Sequence, residues 1–152
     1  MIVCVSANPA VDKRVRLPKL ALGRVNRVSH VQAAAGGKSA HVAMALRALG
    51  SVPRWIGFAG GATGQELLAG LKDLDISSVT VPMKNATRVN LEIIDEDGNV
   101  TEILELGLPF QHKNVAHSSR PVNLFSAKQG TICLLFFLAA CLPASYRNST
   151  RI

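Results

Sequence analysis

Beyond residue 107 the chain carries no acidic side chain. Residues 1–107 hold all ten aspartates and glutamates against 12 lysines and arginines, a net charge of +2, whereas residues 108–152 hold five basic residues and reach +5. The total of +7 over 152 residues raises a nucleic-acid reading. Most of the excess sits in a tail without a nucleic-acid motif, so neither nucleic acid nor a membrane is expected as a partner. Cysteine is sparse. Cys4, Cys133 and Cys141 show no metal-ligand spacing and no C-x-x-C pair, so no metal site is expected. An odd count fits a reducing cytoplasm, and Cys4 is read as a buried small hydrophobe. Long apolar runs are missing too: the longest, residues 132–142, has 11 residues, where a membrane span needs about 20. No basic segment precedes Ile2-Val3-Cys4-Val5, so no secretory signal is expected and the compartment is expected to be the cytoplasm. A nucleotide-binding P-loop is incomplete. Gly37-Lys38-Ser39 supplies its end, but its first glycine would fall at Gln32.

What is present is a greasy chain, 48% hydrophobic with a mean hydropathy of +0.23, long enough for one domain with a real core. Its most informative stretch is Gly36-Gly37-Lys38-Ser39-Ala40-His41. Two glycines let the backbone approach a ligand closely. The helix that follows points its free N–H groups and positive dipole end at that ligand. Lys38 and His41 stand three residues apart and share a helix face at that end. The arrangement suits a polyol or sugar phosphate. The plain alternative is a tight turn followed by a packed or solvated histidine.

Residues 2–5 form a short apolar run ending in Ser6-Ala7-Asn8-Pro9, a buried strand running into a turn, as in parallel sheets. Asp12 follows at the strand exit, where such sheets place ligand groups; a turn-capping aspartate is the alternative. Residues 13–20, and then Val25, Val28 and Val31, predict a small flap of antiparallel strands. Lys13, Arg14, Arg16, Arg24 and Arg27 form its solvated face or steer an anionic substrate. Residues 38–49 predict a helix ended by Gly50, and residues 53–58 a second strand. Thr63 and Glu66 have the capping-box spacing and open a helix, with a third strand over residues 76–81. Residues 88–94 alternate, and Asp95-Glu96-Asp97-Gly98-Asn99 turns the chain back into residues 100–104 as a hairpin. Strand, helix, strand, helix, strand and hairpin is the layout of an α/β sandwich with a β-flap.

In order along residues 2–107 stand Asn8-Pro9-Ala10-Val11-Asp12, Gly23-Arg24-Val25-Asn26-Arg27, Gly36-Gly37-Lys38 with Val42-Ala43, and Gly57-Phe58-Ala59-Gly60-Gly61 with Thr63-Gly64. Thr87-Arg88-Val89-Asn90 follows, then Ile94-Asp95-Glu96-Asp97-Gly98 with Thr101-Glu102-Ile103. Together they resemble the N-terminal part of the PfkB/ribokinase family of sugar kinases, nearest its 1-phosphofructokinase and tagatose-6-phosphate kinase branch. The resemblance implies a ribokinase-like αβα sandwich whose β-flap is a lid. It implies ATP-dependent phosphorylation of a sugar phosphate, with ATP and Mg2+ in the intact enzyme. It also implies roles. Asp12 would accept hydrogen bonds from sugar hydroxyls. Gly36, Gly37 and Lys38 would hold the sugar at the helix end, Asn90 would contact it, and Arg88 would meet its phosphate as a bidentate donor. The family usually has Gly and Asn where Ser39 and His41 stand. Histidine still donates and accepts, with a tautomer set by a neighbour, and His41 is kept among the substrate-binding residues. A homodimer through the flap is a further expectation. The alternative function is a non-catalytic sugar-binding or regulatory fragment.

The family's Gly-Ala-Gly-Asp pattern, with the catalytic aspartate, and its nucleotide site have no counterpart in this sequence. The chain is therefore expected to be a truncated and catalytically silent form, with no catalytic residue of its own. Residues 108–152 match nothing in the family as written. Read from the third base of each codon, the degenerate codons for residues 137–144 permit Ser-Gly-Ser-Leu-Pro-Pro-Gly, the family's loop after a central strand. A frameshift near residues 108–111 is the reading, and a divergent tail the alternative. The tail is then expected to be no part of the fold. Residues 132–142 would be an exposed, aggregation-prone run, and the sheet of residues 1–107 would keep an unpaired edge.

Overall fold

The computed structural model describes residues 1–28, 30–107 and the backbone of 133–137. The shifted-frame loop and the rest of the 108–152 tail lie outside the described residues. In chain order the elements are β1 (Ile2–Ser6), β2 (Ala10–Arg16), β3 (Val31–Gly36), α1 (Lys38–Ala48), β4 (Pro53–Ala59), α2 (Gly61–Asp73), β5 (Ser77–Pro82), β6 (Arg88–Ile94), β7 (Val100–Leu104) and β8 (Cys133–Phe137).

The short apolar runs line up as a parallel sheet in the order β5-β4-β1-β8. Alternation puts Ile2, Cys4, Pro53 and Trp55 on one face and Val3, Val5, Ile56 and Phe58 on the other. Both faces are apolar, as a parallel sheet covered on two sides requires. The first face packs on both helices. Cys4 and Trp55 form one buried cluster with Ala40 and Ala43 of α1, Leu67 and Leu71 of α2, and Val11 and Ala35 of the flap strands. Burial pushes the Cys4 thiol pKa up. The helices of the described residues thus make a single layer, and the second helical layer of the expected sandwich lies outside those residues. No helix among them is long and apolar enough to cross a membrane.

The second sheet, β3-β2-β6-β7, is the flap, with β2 and β6 parallel and the outer pairs antiparallel. At its base Ala35 sits so close to Gly70 of α2 that a β-carbon there would meet the Ala35 amide at 3.2 Å. Farther out, Val15, Leu17 and Ile93 bury one another beside Leu20 and Leu91. Arg14 and Glu92 face each other in register and pair at 2.6–2.7 Å.

Both helices end in the same way. Gly50, at φ 80°, donates to the Arg47 carbonyl at 3.0 Å, and Ser51 donates to Leu46 at 2.9 Å, the hydrogen-bond pattern of a left-handed C-terminal cap. After α2 the equivalent residue is Asp75, at φ 54° the one non-glycine in the left-handed region among the described residues. Arg47 of α1 reaches across to it, 3.2 Å from its carboxylate and 3.3 Å from the Leu74 carbonyl.

Three expectations change. The second flap strand is β3, which takes in Val31 but not the exposed segment of Val25 and Val28. Pairing from Val15–Val31 to Ala10–Gly36 recruits Ala33, Ala34 and Ala35 against their weak strand preference, because register and packing override propensity. Thr63 does not cap α2, which begins at Gly61 without a side-chain cap. Its hydroxyl donates instead to the Thr87 carbonyl at 2.6 Å. The edge of β1 is not unpaired either: β8, drawn from the 132–142 run, lies parallel to it from Ile2–Cys133 to Ser6–Phe137. A bare strand edge offers N–H and C=O groups to any extended segment, and this one takes them.

Two outcomes test the packing. Leu71→Ala, at a fully buried site, should cost about 2–5 kcal/mol, whereas Leu106→Ala, 92% exposed, should stay within about 0.5 kcal/mol. Urea unfolding followed through Trp55, the sole tryptophan, measures both. Ladder donors alternate sides along a strand, so one of Leu134→Pro and Leu135→Pro should lose a bond to β1, at about 1–3 kcal/mol. Two unchanged midpoints would detach β8 from the sheet.

Candidate functional site

Strand register assembles the site. β2 runs beside β6 with Asp12 opposite Asn90 and Ala10 opposite Arg88, and beside β3 with Asp12 opposite Ala34 and Ala10 opposite Gly36. Asp12, Arg88, Asn90 and Gly36 therefore share one face of the flap. Gly36 has to be glycine here, because a β-carbon would fall inside the Asp12 carboxyl group. The chain then turns through Gly37, at φ 85°, into α1. A β-carbon on Gly37 would lie 3.5 Å from the Ala10 amide nitrogen, so the helix start is packed against the β1–β2 turn.

A continuous polar chain results. Arg88 Nη1 donates to Asn90 Oδ1 at 2.6 Å and to the Glu105 carbonyl at 3.1 Å. Asn90 Nδ2 donates to Asp12 Oδ1 at 2.7 Å. The other carboxylate oxygen, Asp12 Oδ2, lies 2.8 Å from His41 Nε2 in the first turn of α1. The Asp12 side chain is 14% exposed, and a carboxylate so enclosed has to be met by donors on both oxygens. Arginine can only donate, which fixes the orientation of the Asn90 amide. α1 has no acid in its first turn and no side-chain cap, so its leading amides receive no side-chain acceptor of their own. Lys38 opens the helix but is exposed, with no polar partner among the described residues.

Beyond Arg88 the face continues into a depression at the carboxyl ends of β1 and β4, lined by Asn8, Pro9, Phe58, Gly60, Asn85 and Arg88. Arg88 Nε is buried there and makes no hydrogen bond. Of the residues singled out from sequence, Asp12, Gly36, His41, Arg88 and Asn90 meet directly, while Gly37 and Lys38 flank them at the helix start. Two supporting residues were missed. Thr87 takes the Gly60 amide on its hydroxyl at 3.2 Å and returns its own amide to the Gly60 carbonyl at 2.9 Å, latching the start of β6 to the start of α2. Its place in the Thr87-Arg88-Val89-Asn90 run was the available signal. Glu105 receives the Val89 amide on its carboxylate at 2.8 Å, and no local pattern announces it. Ser39 turns into the core, its hydroxyl buried without a partner. Among the described residues no group of three His, Cys, Asp or Glu could hold a metal ion.

Helices over a parallel sheet with a flap whose polar face closes on the sheet's carboxyl edge define a ribokinase-like α/β protein. The chain belongs to the pfkB family of carbohydrate kinases, whose model matches residues 2–128 and so runs past residue 107, where the motif reading ended the resemblance. Among solved structures it is similar to phosphofructokinase-2 of Escherichia coli in complex with fructose-6-phosphate, at 27% identity and a TM-score of 0.70, over 75% of this chain and 38% of that one. It is similar also to a Thermotoga maritima protein described as a possible 1-phosphofructokinase, at 30% identity and a TM-score of 0.67, over 74% and 37% of the two chains. An Agrobacterium tumefaciens protein with a provisional ribokinase description shares the fold at 21% identity and a TM-score of 0.62, over 77% and 39% of the two chains. The chain thus spans under two fifths of the length of these structures.

The Asp12 pocket can be tested without a ligand. Gly36→Ala should push the Asp12 carboxyl aside and break its contacts with Asn90 and His41 while leaving the sheet intact. The Asn90 side-chain amide and His41 ring resonances report this, and spectra matching wild type would show that the close approach is dispensable.

Proposed function

We propose that this face binds a phosphorylated ketohexose and is the substrate-binding part of an ATP-dependent hexose-phosphate kinase of the 1-phosphofructokinase type. The observation that carries the reading is the contrast between the two ends of the polar chain. At Asp12 the network is rich in acceptors, since each carboxylate oxygen keeps a lone pair after meeting Asn90 and His41. That suits the hydroxyls of a polyol. At Arg88 it ends in a buried Nε with no partner, half of the planar fork that recognises phosphate. Gly36 and Gly37 let a sugar approach the backbone, and Lys38 adds an exposed cation at the helix start. One relative is bound to fructose-6-phosphate, which makes that compound the first probe, beside fructose 1-phosphate and tagatose 6-phosphate.

In this reading ATP and Mg2+ belong to the intact family enzyme, whose Gly-Ala-Gly-Asp pattern has no counterpart in this sequence. The 152-residue chain is then a binding form without turnover, because positioning of both substrates is required at once. A regulatory, sugar-binding role is the second reading, with a homodimer through the flap. It is favoured by the exposed apolar residues there, among them Leu22 at 87%, Val25 at 77% and Ile103 at 56%.

Calorimetric titration with the three sugar phosphates, free fructose and inorganic phosphate tests the assignment. Asp12→Ala should weaken sugar-phosphate binding by about 1.5–3 kcal/mol, the loss of a charge-assisted hydrogen bond. Arg88→Ala should erase the preference for fructose 6-phosphate over fructose. Equal binding of both compounds by the wild-type chain would remove the phosphate from the reading, and ATP turnover by this chain would end the claim that it is silent.

A further inference from the structure

The ladder between β6 and β7 ends in an exchange of acceptors. The strands pair from Ile94–Val100 to Asn90–Leu104, so the next residues to face each other are Val89 and Glu105. In an antiparallel ladder every second pair shares two backbone hydrogen bonds. The Glu105 amide supplies the first, to the Val89 carbonyl at 3.3 Å. The second would run from the Val89 amide to the Glu105 carbonyl. It runs instead to Oε2 of the Glu105 side chain, at 2.8 Å. The carbonyl so released accepts from Arg88 Nη1 at 3.1 Å, and Asn90 Oδ1 accepts from the same nitrogen at 2.6 Å. Nη1 has two protons, and these two acceptors take both. The guanidinium plane is thereby set, and the edge left over is Nε with Nη2. On that edge Nε is buried and makes no hydrogen bond.

We propose that Glu105 is a positioning residue for the anion end of the cleft. By standing in for its own carbonyl in the ladder, its carboxylate frees that carbonyl to aim Arg88 at the substrate phosphate. The inference rests on the sugar-phosphate reading given above. It separates the reach of the Glu105 side chain from its charge. Glutamine keeps an acceptor oxygen at the same reach and drops the charge. Aspartate keeps the charge but is one methylene short of the Val89 amide, and alanine keeps neither. In the shorter variants the Val89 amide takes back the carbonyl of residue 105 and the ladder closes regularly. The strands then stay paired while Arg88 loses one of its two holds.

The 152-residue chain, with fructose 6-phosphate and fructose as probes, is sufficient for the test. By calorimetry Glu105→Ala and Glu105→Asp should each lose about tenfold for fructose 6-phosphate, the worth of one hydrogen bond, and keep their affinity for fructose. Glu105→Gln should bind fructose 6-phosphate at least as tightly as wild type. In proton–nitrogen spectra of the unliganded protein the Arg88 Nε–H resonance should shift in Glu105→Ala and stay in place in Glu105→Gln. Glu105 lies at an exposed position, and an unfolding midpoint near wild type will show that each variant folds. Wild-type preference for the phosphorylated sugar in the two shorter variants, an equal loss for both sugars, a loss in Glu105→Gln, or an unmoved Arg88 resonance in Glu105→Ala would each overturn the proposal while sugar binding stands. A wild-type chain that binds no sugar phosphate overturns this proposal and the function it rests on together.

Discussion

The Asp12 carboxylate sets the terms for the flap. A negative charge enclosed to this degree is tolerable only where donors meet both oxygens, and here they come from different elements: Asn90 from β6 and His41 from α1. Meeting that demand fixes the register of β2 against β6, since a slip of one residue would turn Asn90 to the opposite face. It also fixes residue 36, because the carboxyl group occupies the space of a β-carbon there. One side chain thus ties three strands and a helix to one geometry. The same geometry leaves acceptors facing outward.

Arg88 sits at the other end of this chain and is held by a separate set of contacts. Thr87 is bonded at its amide, hydroxyl and carbonyl to Gly60 and Thr63 at the start of α2, and the Glu105 carbonyl accepts from Arg88 Nη1. The guanidinium is therefore placed by the α/β layer as much as by the flap. Lys13 on β2 reaches Glu66 on α2 at 3.8 Å, but both side chains are substantially exposed and such a pair contributes little. Anchoring through Thr87 is the firmer link, because it satisfies buried backbone groups that would otherwise be orphaned.

Much of this was legible in the sequence wherever a local rule decides the outcome. The parallel strands announced themselves as short apolar runs between turn residues, α1 as an alanine- and leucine-rich stretch closed by Gly50, and the hairpin as alternation around Asp95 and Gly98. In the folded turn Asn99 donates to the Asp95 carboxylate, which holds that carboxyl below its usual range. Elements set by partners were not legible. β3 is built on alanines with weak strand preference and exists because β2 offers it a ladder. Thr63 had the spacing of a cap, but Thr87, 24 residues away, claims its hydroxyl. The family motifs drew attention to Asp12, Asn90 and His41, yet the contacts joining Asp12 to Asn90 span 78 residues and no spacing rule foretells them.

The tail separates two kinds of requirement that folded proteins place on sequence. A strand beside β1 asks for an extended apolar segment of about five residues and for backbone groups that every residue except proline supplies. Many sequences satisfy that, and hydrophobic segments of roughly the right volume substitute for one another in cores. A catalytic loop asks for particular side chains at fixed positions and tolerates almost no exchange. A change of reading frame within the tail, which we propose, would act on these two demands unequally. It can leave an apolar run that still pairs as β8 while erasing a glycine-rich loop and its aspartate. Pairing of Cys133–Phe137 with β1 is therefore compatible with loss of the chemistry that would follow it. Sheet completion and catalytic competence have to be judged by different residues.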